Sequence, residues 1–151
     1  MALPPLALGA IGTTVSYGDG NSPEVWTLIT NASSYTGPTM SANVVDVTNN
    51  NSSTNPWRRK VVTLLDPGEI PFDMYFIPSD AGQKAILALF TTRGLGSAQT
   101  PIPFKVTFAD VAATTWYFSG FISKFSISAA VDNVVKAAVV ITCEGAPVFP
   151  A

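Results

Sequence analysis

Two long segments near the carboxyl end of the chain alternate between apolar and polar residues. They run from Thr115 to Ala129 and from Asn133 to Cys143, with Val131 and Asp132 at the turn between them. Such alternation is typical of a β-strand that buries one face. Neither segment carries a recognisable catalytic motif. The pattern therefore predicts a long β-hairpin. It favours a protein that uses its strands for structure and not for catalysis.

Further β-prone segments precede this hairpin, each bounded by turn-forming glycines, prolines or asparagines. They are residues 13–17, 26–35, 42–48, 58–65, 70–77 and 104–108. Segments 26–35 and 42–48 follow each other closely enough to pair as a hairpin. In the segment 70–77, Phe72, Met74 and Phe76 share one face, while Asp73 and Tyr75 share the other. We expect that strand to cover a core on one side.

One short helix is predicted from about Asp80 to Phe90. Ser79 is placed to cap its first turn, and the apolar residues Ile86 and Leu89 recur with Phe90 at helical spacing. Packing these three side chains against the sheet should stabilise the fold by about 1.5 to 3 kcal/mol each. The expected fold is therefore mainly β, a sandwich or barrel-like subunit with one short helix.

Composition indicates that this single domain meets other protein. Charged residues make up 12% of the 151 residues, and mean hydropathy is +0.31, whereas about a quarter of an average soluble protein is charged. No apolar run is long enough to cross a bilayer as a helix. Residues Met1 to Gly12 are apolar but contain Pro4 and Pro5 and no basic residue. We interpret them as an extended N-terminal arm instead of an export signal.

The stretch from Asn49 to Pro56 contains only asparagine, serine, threonine and proline. It has no side chain that could form a core, so it is predicted to be a loop that a partner orders. Trp57 follows directly, and a tryptophan favours either burial or an interface. The residues from Thr48 to Trp57 are therefore a candidate contact loop.

Most enzyme classes lack their usual residues here. The chain has no histidine and one cysteine, and its carboxylates are scattered singly. Gly94-Leu95-Gly96 follows the predicted helix and not a strand, so it is interpreted as a helix stop and not as a phosphate loop. A net charge of −2 and a pI of about 4.8 argue against tight nucleic-acid binding, although Arg58-Arg59-Lys60 is a small basic cluster. We predict no enzyme activity, no cofactor and no metal.

Three short motifs resemble one known family. The helix region Pro78-Ser79-Asp80-Ala81-Gly82-Gln83-Lys84-Ala85, continuing to Phe90, resembles that of tail tube proteins of long, flexible-tailed bacteriophages. Phe118-Ser119-Gly120-Phe121-Ile122-Ser123 is similar to an aromatic-x-Gly-aromatic-aliphatic-Ser strand of the same lambda-like family, and Gly145-Ala146-Pro147 is similar to its closing turn. The order of the motifs covers the chain from about Gly12 to Phe149.

The resemblance implies a structural virion protein that assembles as stacked rings of six copies. Inner sheets of neighbouring copies would join into one barrel, which encloses the tape measure protein and later conducts viral DNA without binding it tightly. Further partners would be tail terminator and tail-tip proteins, and no membrane would be involved. The protein would be assembled in the cytoplasm of the bacterial host and would end in the virion tail.

Two sets of residues are candidate sites in such a tube. We expect contacts between rings from Thr48, Asn49, Asn50, Asn51, Pro56, Trp57 and Arg58. We expect the lumen to be lined by Lys124, Ser126 and Ser128, which lie on the polar face of the strand that carries Phe121, Phe125 and Ile127 on the other. Three alternatives share the β-rich composition: a tube protein of a contractile tail or secretion-like particle, an adhesin or pilus module, and a small barrel with an apolar ligand.

Overall fold

The structure is a computed structural model that describes residues 9, 11–19, 22–29, 31–49, 56–92 and 101–150. Within these ranges, the single helix α1 (Ala81–Thr92) lies between strands β6 and β7. The strands are β1 (Thr14–Gly18), β2 (Trp26–Leu28), β3 (Ala32–Tyr35), β4 (Ser41–Asp46), β5 (Lys60–Asp66), β6 (Glu69–Tyr75), β7 (Ile102–Thr107), β8 (Thr115–Ser128) and β9 (Lys136–Cys143).

Seven of these strands form one antiparallel sheet in the order β2-β1-β7-β8-β9-β6-β3. Strand β8 serves two neighbours in turn, because residues 115–120 pair with β7 and residues 120–128 pair with β9. We call β2, β1, β7 and the first half of β8 the first half-sheet. The second half of β8 with β9, β6 and β3 is the second half-sheet. The remaining strands, β4 and β5, form a separate two-stranded ribbon.

The two half-sheets enclose one hydrophobic core. Alternate residues of β7 and β9 are buried, as the alternation in the sequence predicts. The core contains residues from both half-sheets and from α1: Val15, Ile70, Phe72, Met74, Ile86, Ile102, Phe104, Val106, Phe118, Ile122, Val139 and Ile141 among others. The predicted mainly β, sandwich-like fold with one helix is confirmed.

Gly120 lies where β8 changes partners. It pairs with Ile102 of β7 on one side and with Cys143 of β9 on the other. A Cβ atom at this position would lie 2.3 Å from the carbonyl oxygen of Thr142 and 2.9 Å from the Cα of Cys143. The two backbones can approach this closely only because glycine has no side chain. This is the physical reason for the glycine in the aromatic-x-Gly motif.

Helix α1 begins one residue later than the sequence suggested. The Asp80 carboxylate, and not the Ser79 hydroxyl, accepts a hydrogen bond from the Gln83 amide at 2.9 Å. The side chain of Gln83 is fully buried. Its Nε2 donates to the Tyr75 carbonyl at 2.9 Å, and its Oε1 accepts from the Ile77 amide at 2.7 Å. Gln83 thus ties the start of α1 to the end of β6 in the second half-sheet.

The other side of the helix start meets the first half-sheet. Gly82 is buried there, and a Cβ atom at this position would lie 3.1 Å from the Leu28 carbonyl oxygen of β2. Of the three predicted packing residues, Ile86 is buried and Leu89 is half-buried against the core. Phe90 differs from the expectation because its side chain is 37% exposed.

Segment 26–35 is not one strand, and the hairpin predicted between it and segment 42–48 is wrong. Asn31 has a positive φ of 60°, a left-handed conformation that ends the strand. The chain therefore divides into β2, which pairs with β1, and β3, which pairs with β6. Strand β4 pairs with β5 instead.

A β-bulge at Ser123 changes which residues of β8 share a face. The register shifts between Ile122 and Lys124, so the buried positions are even-numbered before the bulge, whereas the half-buried Phe125 that packs on the core after it is odd-numbered. Phe121 and Phe125 consequently lie on opposite faces, which corrects the predicted grouping. Alternation in the sequence does not reveal a one-residue insertion in the ladder.

The close approach at Gly120 can be tested by adding one methyl group. Gly120→Ala should lower the free energy of unfolding by about 1 to 3 kcal/mol, because the β9 backbone must move. Gly37→Ala is the matched control, since its Cβ would meet only the Tyr35 ring at 3.9 Å. Urea denaturation of the two variants measures the difference. Equal stability of both would show that β8 and β9 do not depend on the missing side chain.

Candidate assembly surfaces

The β4–β5 ribbon exposes apolar side chains on both of its faces. Val44 pairs with Val62 on one face, and Val45 pairs with Val61 on the other. All four are between 42% and 55% exposed, and every residue of both strands is exposed. An isolated two-stranded hairpin is marginal in water, and apolar patches of this kind mark interaction surfaces. The ribbon is therefore a surface that another protein is expected to cover.

The far end of the ribbon is held by local polar contacts. The Thr48 hydroxyl accepts a hydrogen bond from the Arg59 amide at 2.9 Å, and the Thr48 amide donates to the Asp46 carboxylate at 2.9 Å. Hydrogen bonds from Thr48, aided by the nearby Arg58 and Lys60 charges, hold the pKa of Asp46 below its ordinary value. Arg58 also forms an exposed ion pair with Asp46 at 3.5 Å. These contacts fix where the loop leaves the ribbon.

The predicted contact loop begins and ends at this tip. Thr48, Asn49, Pro56, Trp57 and Arg58 are all exposed there, and Trp57 is 78% exposed. Trp57 is therefore not buried in the core of this chain. Its exposed position is compatible with the predicted role at an interface. Asn50 and Asn51 lie outside the described residues.

An apolar groove of about 610 Å³ lies where the ribbon joins the body. One wall is the ribbon base, with Met40, Ala42 and Leu65, and the other is the chain after β9, with Ala146, Pro147 and Phe149. Leu65 is 78% exposed and Met40 is 51% exposed. The closing motif Gly145-Ala146-Pro147 therefore lines a groove as well as ending a strand.

The second half-sheet has one covered face and one uncovered face. Its core face packs against the first half-sheet and α1. On its uncovered face, Lys124, Ser126 and Ser128 of β8 lie opposite Val140, Ala138 and Lys136 of β9. All three predicted lumen residues are exposed on this one face. Its four charged residues balance, since Glu69 and Asp73 of β6 face the same side as Lys124 and Lys136.

The second half-sheet also ends in two strand edges that lack a ladder partner within the described ranges. Strand β3 pairs only with β6, and residues 121–128 of β8 pair only with β9. Unpaired edges offer a row of amide and carbonyl groups to another strand. The body therefore presents two edges, a ribbon, a groove and a polar face.

Chemistry-bearing side chains do not gather in the described part of the chain. It contains no group of three or more histidine, cysteine or acidic residues that could hold a metal. A cavity of about 380 Å³ between β1 and β3 is lined by Val15, Tyr35 and Phe108 among others. Burial raises the pKa of Tyr35 to about 12, so its phenol stays protonated. In the part of the chain that the structure describes, no helix is long and apolar enough to span a membrane.

Cys143 is a buried thiol on the core face of β9. Desolvation, with smaller contributions from Asp66 and Glu69, raises its pKa to about 11. A thiol of this kind is mostly protonated at neutral pH and reacts slowly.

Comparison with known proteins identifies the family. A family model described as the lambda phage tail tube protein matches residues 11–150, which is nearly the whole chain. The chain belongs to the lambda phage tail tube protein family. This tail tube protein is a structural component of a virion tail, as its motifs suggested.

Solved structures of low sequence identity share its fold. A chain from the PVC sheath/tube terminator of an extracellular contractile injection system matches with a TM-score of 0.71 and 12% identity, covering 97% of this chain and 99% of that chain. A chain from the C6-symmetric tail of an empty gene transfer agent particle matches with a TM-score of 0.70 and 15% identity, covering 96% of this chain and 100% of that chain. The SPP1 tail tube matches with a TM-score of 0.66 and 13% identity, covering 92% of this chain and 77% of that chain.

No curated protein sequence matches the tail tube protein. The structural likenesses establish the fold, which occurs in a contractile injection system and in other tails alike. The family match is what favours a lambda-like tail tube over the adhesin and ligand-barrel alternatives.

The sequence predicts a contact surface only in the loop, whereas the ribbon below it is also exposed and apolar. The signal was present in the doubled residues Val44-Val45, Val61-Val62 and Leu64-Leu65. Two adjacent apolar residues in a strand point to opposite faces. Three such pairs in a two-stranded ribbon leave both faces apolar, which indicates that neither face belongs to a solvated surface.

The inertness of Cys143 can be measured directly. With a pKa of about 11, roughly one thiol in a thousand is ionised at pH 8, so a disulfide reagent should label the folded tail tube protein very slowly. Unfolding in urea should make labelling complete within minutes, because the pKa returns to its ordinary value. Rapid labelling of the folded protein at pH 8 would contradict the burial of this side chain.

Proposed function

We propose that this tail tube protein closes into rings of six copies, and that the rings stack into the tail tube. The observation that carries the proposal is the second half-sheet, which within the described residues has two unpaired edges and one uncovered face. A sheet with two free edges can be continued on both sides by copies of itself. Repeating this step around an axis produces a closed barrel without free edges.

The edges that meet would be β3 of one copy and the second half of β8 of the next. Four strands per copy then give about 24 strands in a ring of six. With strands about 4.8 Å apart and tilted by about 40°, the backbone barrel would be about 50 Å across. Side chains would narrow this opening but leave room for a DNA duplex. The C6 symmetry of the similar gene transfer agent tail supports six copies.

The uncovered face of the second half-sheet would line the lumen. The core already covers its other face, so closing the barrel leaves only this face towards the axis. Lys124, Ser126 and Ser128 lie there, and two basic residues are balanced by Glu69 and Asp73. Tight DNA binding depends on an excess of basic side chains at phosphates. A balanced face would let DNA pass without holding it.

The ribbon would connect one ring with the next. Its valines are exposed on both faces, and within the described chain its two strands pair only with each other. Burying such residues against a neighbouring copy stabilises by about 25 cal/mol for each Å² of apolar surface. The tip residues Thr48, Asn49, Asn50, Asn51, Pro56, Trp57 and Arg58 would complete this contact. The loop would take its order from the neighbouring ring.

The remaining partners follow from a tube of this kind. The tape measure protein would occupy the lumen during assembly, and the tail terminator and tail-tip proteins would bind the two ends of the tube. Assembly would take place in the cytoplasm of the bacterial host. The protein would act only as a conduit, with no catalytic role and no cofactor.

The lumen assignment can be tested by labelling Ser126→Cys with maleimides of two sizes. A small maleimide should label both dissociated subunits and tubes, whereas a maleimide carrying a long polymer should label only the subunits, because it cannot enter the lumen. Lys84→Cys on the exposed side of α1 is the matched control and should accept both reagents in tubes. Polymer labelling of Ser126→Cys in tubes as fast as in subunits would contradict the assignment.

The role of the ribbon and its loop can be tested by deletion. Removing residues 49–55 should leave rings but abolish long tubes, because the tip no longer reaches the next ring. Val44→Asp should have the same effect while lowering the free energy of unfolding by only about 1 kcal/mol, since this residue is half-exposed and lies outside the core. Electron microscopy measures tube length. Tubes of normal length from both variants would disprove the contact.

A further inference from the structure

The second half-sheet carries unlike apolar features at its two ends. Strand β9 runs from Lys136, beside the β8–β9 turn, to Cys143, beside the groove. Eight residues of strand separate the two ends by about 25 Å. We call them the turn end and the groove end. The ribbon leaves the body at the groove end.

The turn end presents a valine to solvent in a fixed position. Val131 is fully exposed, at 102% of its reference area, and Val134 and Ile127 are each 53% exposed. The turn is closed by a hydrogen bond from the Asn133 amide to the Ala130 carbonyl at 3.1 Å, and the Val134 amide donates to the Asn133 side chain at 2.9 Å. These bonds hold Val131 at the tip without help from a partner.

Hydrogen bonds also hold the chain on both sides of the groove. The Cys143 amide donates to the Gly68 carbonyl at 2.9 Å, and the Glu144 amide donates to the Ser119 carbonyl at 2.7 Å, which together fix the wall after β9. On the ribbon side, the Asp66 carboxylate accepts from the Gly68 amide at 2.8 Å and is thereby turned towards its own backbone. The volume of about 610 Å³ lies within the range of binding pockets, about 300 to 1,000 Å³.

Head-to-tail stacking needs two different surfaces on one subunit, at opposite ends, that fit each other. We propose that the β8–β9 turn of one copy seats Val131 in the groove of a second copy in the adjacent ring. This inference rests on the proposed function, because it assumes that rings stack. The groove is continuous with the ribbon base through Ala42 and Leu65, so the groove and the ribbon of one copy would contact the same neighbouring ring, while its turn would contact the ring on the other side.

The two features suit each other chemically. The tip that enters is a valine preceded by Ala129 and Ala130, and Met40, Leu65, Pro147 and Phe149 provide apolar surface in the groove. Water leaves both surfaces when they meet, which is favourable in proportion to the apolar area buried. A preformed turn and a preformed groove also lose little conformational freedom on contact.

A cysteine pair tests this contact in assembled tubes. A double variant, Val131→Cys with Ala146→Cys, should form disulfides between rings, because the contact brings the two Cα atoms within about 7 Å. Oxidised tubes run on a non-reducing denaturing gel should give a ladder of dimers, trimers and longer chains. Separated rings should give none, and Cys143 is buried and will not compete. Val131→Cys with Lys84→Cys is the control and should give no ladder.

Val131→Asp provides a second measurement that does not depend on oxidation. It should shorten tubes by at least about tenfold and leave rings intact, while Val131→Ile should stack normally. Tubes without a ladder, a ladder of equal strength from the control pair, or normal stacking by Val131→Asp would each overturn the inference and leave the proposed function standing. Failure of the unmodified protein to form tubes at all would overturn both.

Discussion

The structure depends on one strand that belongs to both half-sheets. The first half of β8 pairs with β7, and its second half pairs with β9, with Gly120 paired on both sides. The β9 backbone lies so close to Gly120 that a Cβ would be 2.3 Å from the Thr142 oxygen. This contact sets how the two half-sheets face each other over a common core. It also leaves the second half of β8 free along one edge, which is where the proposed ring is continued.

The helix start provides the second link between the half-sheets. Gln83 satisfies backbone groups at the end of β6, and Gly82 lies against the backbone of β2. A buried amide side chain is tolerated only when its donors and acceptors are paired, and here it is paired with the strand that it positions. The apolar face of α1 then covers the core with Ile86. Gly82 and Gln83, which are part of the motif that resembles the family, thus have structural roles in this chain.

Scarcity of charge and the exposed ribbon are two aspects of one property. A chain with 12% charged residues cannot cover its whole surface with them, and much of the exposed apolar surface lies on the ribbon, in the groove at its base and at the turn tip. These lie away from the polar face that we assign to the lumen. Assembly surfaces and a passage surface are therefore separated on one small domain.

Some elements of this fold could be predicted from residue order alone. Period-two alternation identified β7, β8 and β9, and a capped run at helical spacing identified α1 to within two residues at its end. Polar residues on one face of β8 were correctly grouped as Lys124, Ser126 and Ser128. These features are local, because a side chain's face depends only on its neighbours in the same strand or helix. Short family motifs then indicated the tail tube family.

Other features were decided only by the tertiary structure. The bulge at Ser123 moved Phe121 to the face opposite Phe125, and the left-handed Asn31 sent β2 and β3 to opposite edges of the sheet. Pairing of β4 with β5, the groove at the base of their ribbon, and the covering of one face of the second half-sheet all depend on contacts between residues far apart in sequence. The sequence determined where most of the β-prone segments lie, and its short motifs indicated the tail tube family. Only the folded chain decided which edges and faces remain free, because a free edge is defined by the strands that pair elsewhere.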